Sequence, residues 1–222
     1  MTVQLLESLT EDGRRRVRQR ANRFRFGTGA YIFHAGQAGD SLYMIESGRV
    51  AVLAGGALSD PVTLEVLGPG EIFGELALVS PQHHRTATIR AMVTTEALVL
   101  HRDDFEDLRR SHPDVDRFLL DRLAAQVARL TNRLIEASEL SAAERIYRRI
   151  ADLGTIFEVR DTSVPITGVS QGQLASMAGV QLRITNDVLA KAKTDGVLTW
   201  ARQRIVVLDW PKVYKRALVK QF

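Results

Sequence analysis

The chain has 222 residues, 45% of them apolar and 25% charged, a composition that builds one or two packed cores and excludes wholesale disorder. It contains no cysteine, so disulfides, thiolate zinc sites, cysteine-ligated iron–sulfur clusters and thiol catalysis are excluded. The net charge of +4 is unevenly placed: residues 1–139 carry 17 Lys/Arg against 19 Asp/Glu, and residues 140–222 carry 13 against 7. A basic last third points to a second domain that faces a polyanion. No apolar run reaches bilayer length and the N-terminus lacks the sections of a signal peptide. The expectation is therefore a cytoplasmic protein with no membrane association.

In chain order, Thr10-Glu11-Asp12 reads as the cap of a short helix reaching about Ala21. Short aromatic or β-branched runs follow at Arg23–Phe26, Ala30–Phe33, Leu42–Ile45, Gly48–Leu53, Val62–Leu67, Thr86–Ala91 and Ala97–Leu100, punctuated by glycines. Strands this short at such spacing indicate an antiparallel sandwich or jelly-roll barrel. The pattern turns helical at Phe105, breaks at His112-Pro113, and resumes as one long helix from about Asp114 to Ser138. Its Leu120, Leu123, Val127, Leu130 and Leu134 alternate spacings of three and four, a seam suited to pairing with a second copy of the same helix.

From Ala142 the chain is helical again. Two further helices, starting near Ser170 and at Leu182, meet at Ala178-Gly179-Val180, as in a helix-turn-helix. Strands at Asp195–Trp200 and Arg204–Leu208 around a basic turn read as a wing. The fold class expected is α+β: an N-terminal antiparallel β jelly roll over residues 1–112, a dimerisation helix over 113–139, and a winged helix-turn-helix over 140–222.

Phe73-Gly74-Glu75-Leu76-Ala77 followed by Arg85-Thr86-Ala87-Thr88 carries the most chemical information. Arg85 can meet a phosphate with paired donors and Thr86 can add a hydroxyl. Gly74 permits close backbone approach, and the amides around Glu75–Ala77 favour an anion. Glu75 would repel a phosphate, so it suits a donor such as a ribose hydroxyl. In the basic third, Arg183 is the candidate for a guanine edge, and Gln171, Gln181, Thr185 and Asn186 for bases or phosphates. Lys191, Lys193, Arg202 and Arg204 suit the DNA backbone.

These residues, with Gly36, Gly39, the Leu42–Gly48 segment and Gly68-Pro69-Gly70, resemble the cyclic-AMP receptor protein/FNR family of bacterial transcription regulators over nearly the whole chain. The resemblance implies that Gly74, Glu75, Leu76, Ala77, Arg85 and Thr86 form a phosphate-binding cassette for cyclic AMP, with cyclic GMP possible. It implies that Thr131 and Asn132 of the long helix meet the base, one from each subunit, and that no metal is needed. It also implies a homodimer through Leu120, Leu123, Val127, Leu130 and Leu134, an inverted-repeat DNA operator, RNA polymerase as a partner, and a hinge near Ala137–Ala142 that reorients the DNA-binding domains.

Thr86 stands where serine is common, and Leu182, Arg183 and Asp187 replace the arginine, glutamate and arginine frequent in the recognition helix. An operator known for enteric relatives therefore does not transfer. The competing regulators are a relative that ignores nucleotides and one that senses haem, redox state or a cyclic dinucleotide. A cupin-type enzyme needs clustered histidines, and His34 stands alone on its strand, so no catalytic activity is expected.

Overall fold

A computed structural model describes residues 3–55, 61–159 and 164–218. The chain divides into two compact units, Met1–Gly55 with Leu67–Arg129, and Gly56–Val66 with Leu130–Phe222.

The first unit opens with helices α1 (Gln4–Ser8) and α2 (Glu11–Arg20). The Thr10 hydroxyl accepts from the Gly13 amide and caps α2, whose first turn is acidic and last turn basic, as the helix dipole favours. The strands of this unit are β1 (Asn22–Phe26), β2 (Tyr31–Phe33), β3 (Ser41–Ser47), β4 (Val50–Ala54), β6 (Ile72–Phe73), β7 (Thr88–Ala91) and β8 (Thr95–His101), with a single helical turn α3 (Leu76–Val79) between β6 and β7; β5 (Val62–Leu67) falls, but for Leu67, in the second unit. In one antiparallel sheet β1, β8, β3 and β6 are neighbours in that order; in a second, β2, β7 and β4 pair likewise.

Phe33, Val50 and Ile89 of the second sheet pack with Ile45 and Phe73 of the first, so the two sheets enclose one core. The outer side of β3 and β8 is covered by helices: Leu42, Met44, Leu98 and Leu100 meet Leu5, Val17, Phe105, Leu108, Val115 and Leu119. Helix α1 was not expected from the sequence. Its buried Leu5 and Leu6, with Leu9 just beyond, make this helix part of the core.

Helices α4 (Arg102–Ser111) and α5 (Asp114–Glu139) follow. Only the first turns of α5 are buried, through Val115 and Leu119. Further along, Leu120, Val127, Leu130 and Leu134 are 52–73% exposed, and Leu123 is half-buried.

In the second unit, α6 (Ala142–Ile156) begins with a capping box in which Ser141 and Glu144 satisfy each other's amides. Glu136, near the end of α5, accepts from Arg148 Nη1 at 2.7 Å and from the buried Arg149. Arg148 Nε also donates to the Ala217 carbonyl at 2.9 Å. Helix α7 (Gln171–Ala178) carries a second capping box, Ser170 with Gln173, and ends at Gly179, whose φ of 61° is the left-handed turn that glycine admits most readily. Helix α8 (Leu182–Thr194) packs through Thr185, Leu189 and Ala192.

Strands β10 (Leu198–Ala201) and β11 (Arg204–Val207) form the wing, and β9 (Ile166–Thr167) adds a third strand on the free edge of β11. A last helix, α9 (Trp210–Arg216), is capped by Asp209 and has Pro211 in its first turn. It lays Trp210 against Gly154 so closely that a Cβ there would stand 2.3 Å from the indole. Among the described residues no helix is long and apolar enough to cross a membrane.

Candidate functional site

Gly74, Glu75, Leu76, Ala77 and Arg85 come together where β6 runs into α3. Arg85 is 5% exposed. Its Nη1 donates to the carbonyls of Ser41 (2.8 Å) and Gly74 (3.0 Å), and its guanidinium lies 4.2 Å from the centroid of the Phe33 ring. Two glycines make room for it. A Cβ at Gly74, where φ is +85°, would fall 2.6 Å from Arg85 Nη1; one at Gly39 would fall 2.9 Å from Arg85 Nε and 2.3 Å from the Ala77 Cβ.

Expected to offer both donors to a ligand, Arg85 instead spends Nη1 on backbone. Its Nε is buried with no hydrogen-bond partner, and the nearest carboxylate to Nη2 is Asp40, 4.0 Å away and itself exposed. Burial lowers the Arg85 pKa from its ordinary value, though an arginine remains charged. The Ser41 hydroxyl donates to Asp40 at 2.7 Å and lowers the carboxyl's pKa, so Asp40 is an anion at neutral pH. A buried cation this incompletely paired costs stability unless an anion completes it.

Glu75 is also buried, with Arg122 of α5 3.8 Å from its carboxylate. Arg122 in turn donates to the Ile72 carbonyl. Arg102 holds the other side, donating to the carbonyls of Gly39 (2.6 Å), Ala77 (3.0 Å) and Leu78 (3.2 Å) and so closing the open end of α3. The sequence reading missed Asp40, Ser41, Arg102 and Arg122. Only Asp40, beside Gly39 at the start of a strand, carried any signal. Thr86 is exposed just outside β7, and Thr131 and Asn132 are exposed on α5. Among the described residues no three His, Cys, Asp or Glu cluster as a metal site.

The second unit sets out a basic surface. Gln181, Arg183, Asn186, Lys191 and Lys193 are exposed on or beside α8, and Gln171, the first residue of α7, is half-buried. Arg202 and Arg204 are exposed at the wing, whose tip closes through Arg202 at φ 54° and a 2.7 Å bond from Trp200 Nε1 to the Arg202 carbonyl. Thr185 is a correction. It is fully buried and donates its hydroxyl to the Gln181 carbonyl at 3.2 Å, so it faces the core and cannot touch DNA.

Residues 23–112 match the cyclic nucleotide-binding domain family. The cyclic AMP receptor protein of Thermus thermophilus is 32% identical over 173 residues, 77% of this chain and 76% of its own length. The chain belongs to the Crp/Fnr family. A cyclic nucleotide-gated potassium channel of Mesorhizobium japonicum is 40% identical over 87 residues, 39% of this chain and 22% of the channel. The structure of the cyclic di-GMP responsive regulator CLP of Xanthomonas campestris superposes with a TM-score of 0.74, covering 89% of this chain and 99% of that one at 24% identity. This Crp/Fnr member is thus a DNA-binding transcription regulator with a domain for a nucleotide-type ligand. The relatives that match it over most of their length are transcription regulators, and the family binds DNA as dimers.

Proposed function

We propose that the protein is a homodimeric transcription regulator gated by a cyclic mononucleotide, with cyclic AMP the expected ligand and cyclic GMP its nearest competitor. The observation that carries this is Arg85: a buried, incompletely paired guanidinium for which two glycines make room, next to a buried carboxylate. A cyclic phosphate supplies the missing anion, and the ribose 2′-hydroxyl donates to Glu75. Thr86 adds a hydroxyl at the edge, with Leu76 and Ala77 shaping the turn. Thr131 and Asn132 meet the purine from the long helix of each subunit.

The dimer forms through Leu120, Leu123, Val127, Leu130 and Leu134, whose aliphatic surface is otherwise left to solvent. A nucleotide bridging barrel and dimer helix binds best to one helix arrangement and shifts the population toward it. The winged helices then present Arg183 and Asn186 to an inverted repeat, with Gln171, Lys191, Arg202 and Arg204 on the backbone, and RNA polymerase is the downstream partner.

Calorimetric titration of the purified dimer with cyclic AMP, cyclic GMP and cyclic di-GMP tests this reading. Saturable heat with a mononucleotide, lost in Arg85→Leu, is expected. Heat with cyclic di-GMP alone would overturn it.

A further inference from the structure

Two stretches of chain must keep one spacing for Arg85 to lie between them. Its Nη1 donates to the Ser41 carbonyl on one side and to the Gly74 carbonyl on the other. The fit is tight, since a Cβ on Gly39 would fall 2.3 Å from the Ala77 Cβ. Neither stretch is stiff by itself. Helix α3 is four residues long, with no side-chain cap at its start, and one isolated turn does not sustain itself in water. Gly39 and Asp40 lie in irregular chain ahead of β3.

Arg102, the first residue of α4, fastens the two together. Its Nη2 donates to the Gly39 carbonyl at 2.6 Å and to the Ala77 carbonyl at 3.0 Å, so one nitrogen joins both stretches. Its Nη1 reaches the Leu78 carbonyl at 3.2 Å, and its backbone amide donates to the Asp40 carbonyl at 2.7 Å. A planar fork of donors can take three carbonyls in this way, whereas a lysine presents one nitrogen on a flexible stem. The charges of Arg102 and Arg85 also meet. Burial chiefly, and the charge of Arg102 in smaller part, lower the Arg85 pKa. Two neighbouring guanidiniums raise the gain from an arriving anion.

We propose that Arg102 is the positioning residue of the ligand site. It holds residues 39–41 against α3 and so aims the remaining donors of Arg85 before any ligand arrives. The phosphate meets Arg85, and Arg102 acts through it. This rests on the cyclic mononucleotide reading of the site. A preset site removes an ordering cost from binding, and the gain is the same whichever base the cyclic phosphate carries.

The test is calorimetric titration of the full-length dimer as wild type, Arg102→Lys and Arg102→Met, at a temperature where urea unfolding shows each to be folded. The probes are cyclic AMP, cyclic GMP and the two phosphorothioate diastereomers of cyclic AMP, which differ only in which exocyclic oxygen is sulfur. The ratio of their affinities reports how narrowly Arg85 is aimed. Arg102→Met should weaken cyclic AMP and cyclic GMP by the same factor, about tenfold or more, as loss of orienting partners does at metal sites. The diastereomer ratio, several-fold in wild type, should fall toward one. Arg102→Lys keeps the charge without the fork and should recover only a minor part of either loss. If Arg102→Met does not fold, Arg102→Lys against wild type decides by the same measures.

Unchanged affinity in folded Arg102→Met would make Arg102 a cap of α3 and nothing more, and overturns the proposal. A loss of affinity with an unchanged diastereomer ratio overturns it too, as does full recovery in Arg102→Lys, which would make Arg102 a source of charge alone. No saturable heat from wild type with cyclic AMP or cyclic GMP would overturn the mononucleotide reading itself, and this inference with it.

Discussion

Replacing Arg85 by leucine separates two effects that usually move together. Without ligand, the variant loses two donated bonds to the Ser41 and Gly74 carbonyls, at 2.8 and 3.0 Å, and orphaning those acceptors costs about 1–3 kcal/mol. Against this, a desolvated cation without a close anionic partner disappears, which offsets much of that cost. The unliganded fold should therefore change by no more than about 2 kcal/mol. With ligand, the loss is one-sided. A buried anion deprived of its arginine loses about 2–5 kcal/mol, at least a thirtyfold drop in affinity. At a cyclic AMP concentration of about 100 Kd for wild type, ligand adds about 2.7 kcal/mol to stability; in the variant the same concentration adds about 0.8 kcal/mol or less. Urea unfolding at fixed protein concentration, with and without cyclic AMP, reads both numbers. An equal ligand increment in the two proteins would refute the role given to Arg85.

Asp40→Asn should tighten cyclic AMP binding by about fivefold or less, because the carboxylate 4.0 Å from Arg85 is exposed and screened; weaker binding in titration would make Asp40 a support for Arg85 instead of a competitor. Gly154→Ala should destabilise by about 1–2 kcal/mol in urea unfolding, since a Cβ 2.3 Å from the Trp210 ring overpacks a tight contact by more than the gain in helix propensity. Val127→Glu or Leu134→Glu should shift the protein to monomer in light scattering at micromolar concentration, and a persistent dimer would move the interface elsewhere. Bonds from Ser141 hold the Glu144 carboxyl below its ordinary pKa. Its contribution is complete above the unfolded value of about 4.3 and vanishes as pH falls through the lower folded value. Glu144→Gln, which keeps the cap, should remove that part of the acid dependence of the urea midpoint.

The parts of the fold legible in the sequence were those with strong local chemistry. Thr10 and Gly179 marked helix ends, and short aromatic or β-branched runs between glycines marked β3, β4 and β5. Elements defined by tertiary context were missed: α1, whose five residues are held by the core they enter, and β6 and β9, each two residues long. Helix α9 did carry a signal in Asp209 and Pro211, hidden by its position directly after a strand. At the ligand site, residue types pointed to Arg85 and Glu75. Nothing in a sequence shows that Nη1 would be taken up by carbonyls from another strand, or that Arg102 would reach Gly39 across more than sixty residues. Thr185 was misread because consecutive residues of α8 were treated as one surface, whereas the helical period turns every third or fourth residue inward.

The double grip of Arg148 and Arg149 on Glu136 bears on how this protein can be recombined with its relatives. Glu136 lies on α5, both arginines lie on α6, and Arg148 reaches on to Ala217 after α9. A chimera joined in the short link between α5 and α6 would leave two arginines, one of them buried, without their carboxylate, and would also import a helix end that does not match them. A join further upstream, before Leu130, keeps Glu136 with its arginines, at the cost of parting Arg133 from the Leu64 carbonyl it donates to at 2.8 Å, since Gly56–Val66 belongs to the same unit as Leu130–Phe222. A DNA-binding module of this protein therefore travels with the stretch of the preceding helix from Leu130 onward as its own buttress.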